Sequence, residues 1–247
     1  MTMQRTDVVW QTPRVVERYL GGVRGALPMA GEQISIMLAL LATGPGPVRR
    51  FLDLGCGDGI LAAAILDRFP DAKGVLVDFS EPMLVAAQQK LVSFAANLDF
   101  KQLDYADPAW VSGVMDDAPF DAIVSGYSIH HQPDERKRTL YTELYHLLRP
   151  GGWLINVEHV APGASLSSTL FYKHIVDTLY ANQQYAGSAK TREQVTDEFY
   201  RREDRVANIL APVDLQCAWL RQIGFQDVDC YFKIYDLAVF GGRHPEN

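Results

Sequence analysis

Asp53, Gly55, Gly57, Gly59, Asp78, His130, His131 and Glu158 are the residues of this 247-residue chain whose types and places suggest chemistry. The glycines alternate in Asp53-Leu54-Gly55-Cys56-Gly57-Asp58-Gly59. Glycine lets a backbone approach a ligand closely, and the helix after such a turn offers it unpaired N–H groups. Asp78 follows about twenty residues later, where a carboxylate can accept from both hydroxyls of a ribose. His130 and His131 are adjacent, and neighbouring side chains on a helix or strand diverge, so packing is their expected role. No third residue is spaced to join them around a metal, and none is expected to be bound. Glu158 ends an apolar run, where a carboxylate is costly unless it meets a ligand, a cation or solvent.

The elements that position these residues alternate between strand and helix. Phe51 to Leu54 reads as a short buried strand, and Ile60 to Arg68 as the helix after the glycine turn. Gly74 to Asp78 is a second strand, with Ser80 as the N-cap of the next helix and Pro82 in its first turn. Strands are expected at Leu98 to Leu103, Phe120 to Ser125 and Trp153 to Glu158. Between the last two lies a helix from Asp134, with Leu140, Leu144, Leu147 and Leu148 on one face, ended by Arg149-Pro150-Gly151-Gly152. Alternating strands and helices predict a parallel sheet covered on both faces.

The spacing G-x-G-x-G, with an acid two residues ahead, resembles the class I S-adenosyl-L-methionine (SAM) methyltransferases. So do Val77-Asp78-Phe79-Ser80 with Met83, Asp104, the segment Phe120 to His131, and Leu148 to Gly152, all in the family's order. The resemblance implies an α/β, Rossmann-like sheet of seven strands in order 3-2-1-4-5-7-6, the seventh antiparallel. It implies SAM as cofactor and S-adenosyl-L-homocysteine (SAH) as product. Gly55, Cys56 and Gly57 are then expected at the methionine portion, Asp53 at the turn and the amino group, and Asp78 at the ribose. Phe79 and Met83 would flank the adenine and Asp104 meet its edge, with Tyr105 and Ser125 among the cofactor contacts. On the acceptor side the candidates are Tyr127, His130 and His131 after the fourth strand, Glu158 and His159 after the fifth, and Arg201 in the lid. Methyl transfer from a sulfonium needs chiefly an aligned acceptor and a dry site.

The remaining chain frames this core. Residues 1–46 are expected as an N-terminal cap of irregular pattern before a helix at Gly31 to Ala42. Residues 47–161 form the SAM-binding core, and 162–211 a helical lid of two helices, Ser167 to Gln184 and Thr191 to Ala207. Residues 212–247 supply a helix at Asp214 to Ile223 and a hairpin of Val228 to Phe232 with Leu237 to Phe240. All are read as one domain. A net charge of −7 argues against a broad nucleic-acid surface. Three scattered cysteines fit a cytoplasmic protein, and no apolar run reaches membrane length. A small-molecule acceptor and a homodimer are expected. Two other readings stand beside this one. The first is a synthase of carboxy-SAM, of the kind used in tRNA wobble-uridine modification, in which Arg201 would hold the extra carboxylate of the donor. The second is a SAM-binding protein without catalysis.

Overall fold

The computed structural model describes residues 5–246, so the first four residues of the expected cap and Asn247 lie outside it. Seven strands form one sheet: β1 Arg50–Leu54, β2 Lys73–Asp78, β3 Leu98–Gln102, β4 Phe120–Gly126, β5 Leu148–His159, β6 Gln226–Ile234 and β7 Leu237–Arg243. Their order is β3-β2-β1-β4-β5-β7-β6. The first five run parallel, and β7 is antiparallel to both β5 and β6. In β1 every residue from Phe51 to Leu54 is buried. That is what a parallel strand covered on both faces requires, and why it reads as an unbroken apolar run.

Eight α-helices occur among the described residues: α1 Pro13–Gly21, α2 Ala30–Leu41, α3 Ile60–Arg68, α4 Glu81–Lys90, α5 Asp134–Leu147, α6 Ser165–Tyr185, α7 Arg192–Tyr200 and α8 Val213–Ile223. One core layer packs α5 and α8 on the sheet through Leu140, Tyr141, Leu144, Trp219 and Leu220. The other packs α2, α3 and α4 on the opposite face through Met37, Leu41, Leu61, Ile65 and Leu84. Ser80 caps α4 by accepting from the Met83 amide at 3.3 Å. A third, smaller core holds α6 and α7 together through Phe171, Ile175, Leu179, Val195 and Phe199.

Several elements differ from expectation. The leader is more ordered than its pattern suggested: α1 starts at Pro13, a residue suited to the first helical position. Helix α5 stops at Leu147, because Leu148 already pairs with Phe120, and the following Pro-Gly-Gly is accommodated by a register shift before Trp153 meets Ala122. The second lid helix does not reach Ala207. It ends at Tyr200, and Glu203–Ala207 forms a separate 3-10 turn.

The strand order reverses between β1 and β4, and the crevice beyond the carboxyl ends of these two strands is where open α/β sheets bind ligands. The glycine turn leaves β1 there, and Tyr127 to His131 leave β4 there. Helices α1, α6 and α7 roof this end.

Candidate functional site

Under the roof lies a cavity of about 490 Å³, within the ~300–1,000 Å³ typical of small-ligand sites. Its floor is the glycine turn. Gly55, Gly57 and Gly59 all have positive φ, between 54° and 74°. A Cβ on Gly55 would overlap the Ser128 side chain, so only glycine fits between β1 and the segment after β4. Asp78, at the end of β2, is 6% exposed and lines the cavity. Its carboxylate accepts from the Gly57 amide and from the Ser80 amide, each at 2.9 Å, and so fixes the turn. Burial raises its pKa to about 6 against these amides, which act the other way.

Asp53, on β1 two residues before Gly55, is 1% exposed. Its Oδ2 accepts from the Ala62 amide at 3.1 Å, while its Oδ1 has no partner among the described residues. Burial holds this carboxyl well above the usual range. Phe79, Met83, Cys56 and Tyr105 also line the cavity. Asp104 and Ser125 do not. Ser125 is fully buried and donates to the Leu54 carbonyl at 2.7 Å, tying β4 to β1. Asp104 is engaged by Arg5, whose Nη2 donates to its Oδ1 at 2.9 Å, and the same guanidinium lies 5.0 Å above the Phe79 ring.

On the opposite wall, the residues after β4 turn tightly. Tyr127 takes a left-handed backbone at φ 51°, unusual outside glycine, and its hydroxyl donates to Gln33 at 2.6 Å. Burial raises its pKa, so the phenol keeps its proton. His130 and His131 do not diverge as expected. They sit on a 3-10 turn, Ile129–His131, which brings their rings to 4.0 Å, and both line the cavity. The expectation assumed a regular strand or helix; the tight turn makes both rings wall residues.

Glu158, at the end of β5, lies behind His130 rather than on the cavity wall. It accepts from three groups: His130 Nδ1 at 2.5 Å, the His159 amide at 2.9 Å and the His130 amide at 3.2 Å. Burial pushes Glu158 up to about 7 and His130 down to about 3. With Glu158 ionised, a neutral His130 carries its proton on Nδ1 and donates it to the carboxylate, which leaves a lone pair on Nε2. His131 Nδ1 faces the Ala207 carbonyl at 3.0 Å, so its Nε2 is likewise the acceptor.

Arg201 is not a cavity residue. Its side chain is 81% exposed and pairs with Asp197 at 3.3 Å, as an ordinary surface i,i+4 contact. Helix α7 ends at Tyr200, and the change of direction turns the next residue inward instead. Arg202, 10% exposed in its side chain, lines the cavity with its guanidinium 4.2 Å above the Phe199 ring. Trp10, Tyr19, Arg24, Tyr172 and His159 complete the roof and walls. Arg24 and Lys90 both pair with Asp58 of the glycine turn, clamping cap and α4 onto it. No sequence motif marks these residues. Of them Tyr172 and Arg202, as lid residues, and His159, after the fifth strand, were legible as candidates.

The order β3-β2-β1-β4-β5-β7-β6, with a glycine-turn cavity at the switch point, defines the class I SAM-dependent methyltransferase fold. Residues 51–152 match the family described as a methyltransferase domain. An uncharacterised methyltransferase of Mycobacterium tuberculosis is 39% identical over 111 residues, which are 45% of this chain and 51% of that protein. A carboxy-S-adenosyl-L-methionine synthase of Shewanella amazonensis is 25% identical over 199 residues, 78% of this chain and 74% of its own. Among solved structures, human N-acetylserotonin methyltransferase in complex with SAM superposes with a TM-score of 0.61 at 16% identity, covering 100% of this chain and 60% of that one. The chain thus spans about half the length of the mycobacterial relative. No helix among the described residues is long and apolar enough to cross a membrane, and no cluster of three or more metal-ligating side chains occurs among them.

Proposed function

We propose that this protein transfers the methyl group of SAM to a small-molecule acceptor that gives up a proton. The reading is carried by one observation. The acid-lined glycine cradle and the Glu158–His130 pair open into the same roofed cavity, from opposite walls.

The residues present fit the cofactor. The unpartnered, buried Oδ1 of Asp53 suits a ligand ammonium, which would also hold that carboxyl in its charged form. Asp78 keeps lone pairs free beside its two amide contacts and can accept from ribose hydroxyls. Gly55 to Gly57 carry no side chain larger than that of Cys56 toward the methionine portion, and Phe79 and Met83 offer apolar faces for the base. Bound SAM would supply an electrophilic methyl carbon on sulfur, with SAH as the leaving thioether.

The chain's own residues do the rest. His130 Nε2 takes the acceptor's proton as its heteroatom bonds to the methyl carbon, and Glu158 stabilises the imidazolium that results. Tyr127 and Tyr105 act as walls and hydrogen-bond donors rather than bases, since burial raises both phenols. Roof aromatics exclude water from the sulfonium and align the acceptor. We place the whole chain, including the cap 1–46 and lid 162–211, in a single cytoplasmic domain. A homodimer is part of the same proposal.

The carboxy-SAM reading loses the residue it turned on, because Arg201 faces solvent. Calorimetry with SAM and SAH, followed by an assay of SAH release, tests the proposal. Absence of binding to either compound refutes it, and binding without turnover on any acceptor favours a non-catalytic SAM-binding protein.

A further inference from the structure

Three buried polar atoms on cavity-lining residues have no partner among the described residues besides Asp53 Oδ1: Trp10 Nε1, His159 Nε2 and Arg202 Nη1. A buried donor left unpaired is costly, and a guanidinium more so than an indole. Arg202 is the informative one. Its Nε reaches Asp204 at a long 3.2 Å, which leaves the Nη1 edge of its planar fork unused. Its neighbour Arg205 also lines the cavity, 5.3 Å above the Tyr172 ring, so this part of the roof carries two guanidiniums against the single carboxylate of Asp204.

The roof turn is tied to the residues after β4. The Ile209 amide donates to the His130 carbonyl at 2.9 Å, and His131 Nδ1 to the Ala207 carbonyl at 3.0 Å. Arg202 and His130 are therefore held at fixed places in one cavity, with aromatic walls at Phe171, Tyr172 and Phe199. A carboxylate needs no base to become nucleophilic, whereas a phenolic hydroxyl does. The two sites thus suit two different groups on one ligand.

We infer that the methyl acceptor is an aromatic hydroxy acid, its carboxylate held by the fork of Arg202 and its hydroxyl facing His130. This rests on the methyltransferase reading above and narrows its substrate class. The hydroxyl oxygen bonds to the methyl carbon, its proton passes to His130 Nε2, and the S–CH₃ electron pair leaves with SAH.

The test uses the full chain, first titrated with SAH alone. The SAH-saturated protein is then titrated with 4-hydroxybenzoate, salicylate and 4-hydroxycinnamate, each against its own primary amide. The expected result is that at least one acid binds about tenfold or more tighter than its amide, the difference between a charge-assisted fork and a neutral contact. Arg202→Gln should erase that preference while SAH affinity stays within about threefold. Arg202→Lys should restore only part of it, since an ammonium lacks the planar fork. If every acid binds no better than its amide in SAH-loaded wild type, the inference is overturned. The same holds if Arg202→Gln weakens SAH as strongly, because Arg202 then serves the donor's own carboxylate. Should the variants fail to fold, the acid–amide comparison in wild type still decides. Failure to bind SAH at all would instead refute the methyltransferase reading beneath it.

Discussion

Asp78→Asn separates ligand binding from stability, and the structure sets the size of both effects. The wild-type carboxylate accepts from the Gly57 and Ser80 amides and is left to receive the ribose. Asparagine keeps its shape but has one acceptor oxygen, and its NH₂ must face one of those two amide donors. On the ligand side, two charge-assisted bonds become at best one neutral bond, a loss of about 2–4 kcal/mol, or ~30- to 1,000-fold in SAH affinity. For the fold, the sign is different. Burial raises the Asp78 pKa from 3.8 to about 6, so the protonated form favours folding. That contribution is whole below pH 3.8, is lost as pH rises through about 6, and its loss costs the wild type about 3 kcal/mol at pH 8. Asparagine escapes this cost but meets a donor–donor conflict of ~1–3 kcal/mol. The two nearly offset, so the melting temperature at pH 8 should move by only a few degrees. Calorimetry between pH 5 and 8 gives a second check. Wild-type SAH affinity should fall more steeply as pH drops below 6 than that of the variant, in which only Asp53 remains to couple binding to pH. An unchanged SAH affinity in Asp78→Asn, or the same pH dependence in both proteins, would refute the assignment of Asp78 to the ribose.

Two further outcomes follow from the geometry on either side. Glu158→Gln keeps an oxygen opposite His130 Nδ1 but removes the charge, so kcat for a phenolic acceptor should fall by ~10²- to 10⁴-fold with SAH affinity unchanged; a wild-type kcat would rule out the pair as the proton acceptor. Gly55→Ala puts a methyl group into the Ser128 side chain at a positive φ, and thermal unfolding should report a loss of about 2 kcal/mol or more, together with weaker SAH binding. A variant as stable as wild type would show that the turn can shift away from Ser128.

The glycine-turn side of the cavity was legible in the sequence and the opposite wall largely was not. Gly55, Gly57 and Asp78 sit at fixed spacings because a strand, a turn and a helix of a parallel sheet leave little freedom in where a ligand-facing residue can fall. Asp53 shares that constraint. Asp104 follows the third strand as expected but lies off the cavity wall, its carboxylate held by Arg5, ninety-nine residues earlier, and no local pattern announces so distant a partner. The inward turn at Arg202 depends on where α7 ends. A continuous helix to Ala207 fits the charge pattern equally well and would carry a different arginine inward, so a shift of one residue changed the assignment. The convergence of the two histidine rings is illegible for a similar reason: a three-residue 3-10 turn has no periodicity to read.

The roof and the floor of the cavity have different lifetimes. The glycine turn of the floor hangs from a ladder of seven strands, whose amides exchange only when most of the molecule opens. Helices α6 and α7 rest on a small core, with the exposed pair Arg192–Asp177 joining them and Arg14–Glu203 joining α1 to the turn after α7. Pairs of that kind are weak singly and fade as ionic strength rises. The roof should therefore open as its own cooperative unit, more often than the sheet does. A compound enclosed beneath it leaves at the rate of that local opening. Its residence time should shorten in concentrated salt while the melting temperature, set by the sheet, stays nearly where it was.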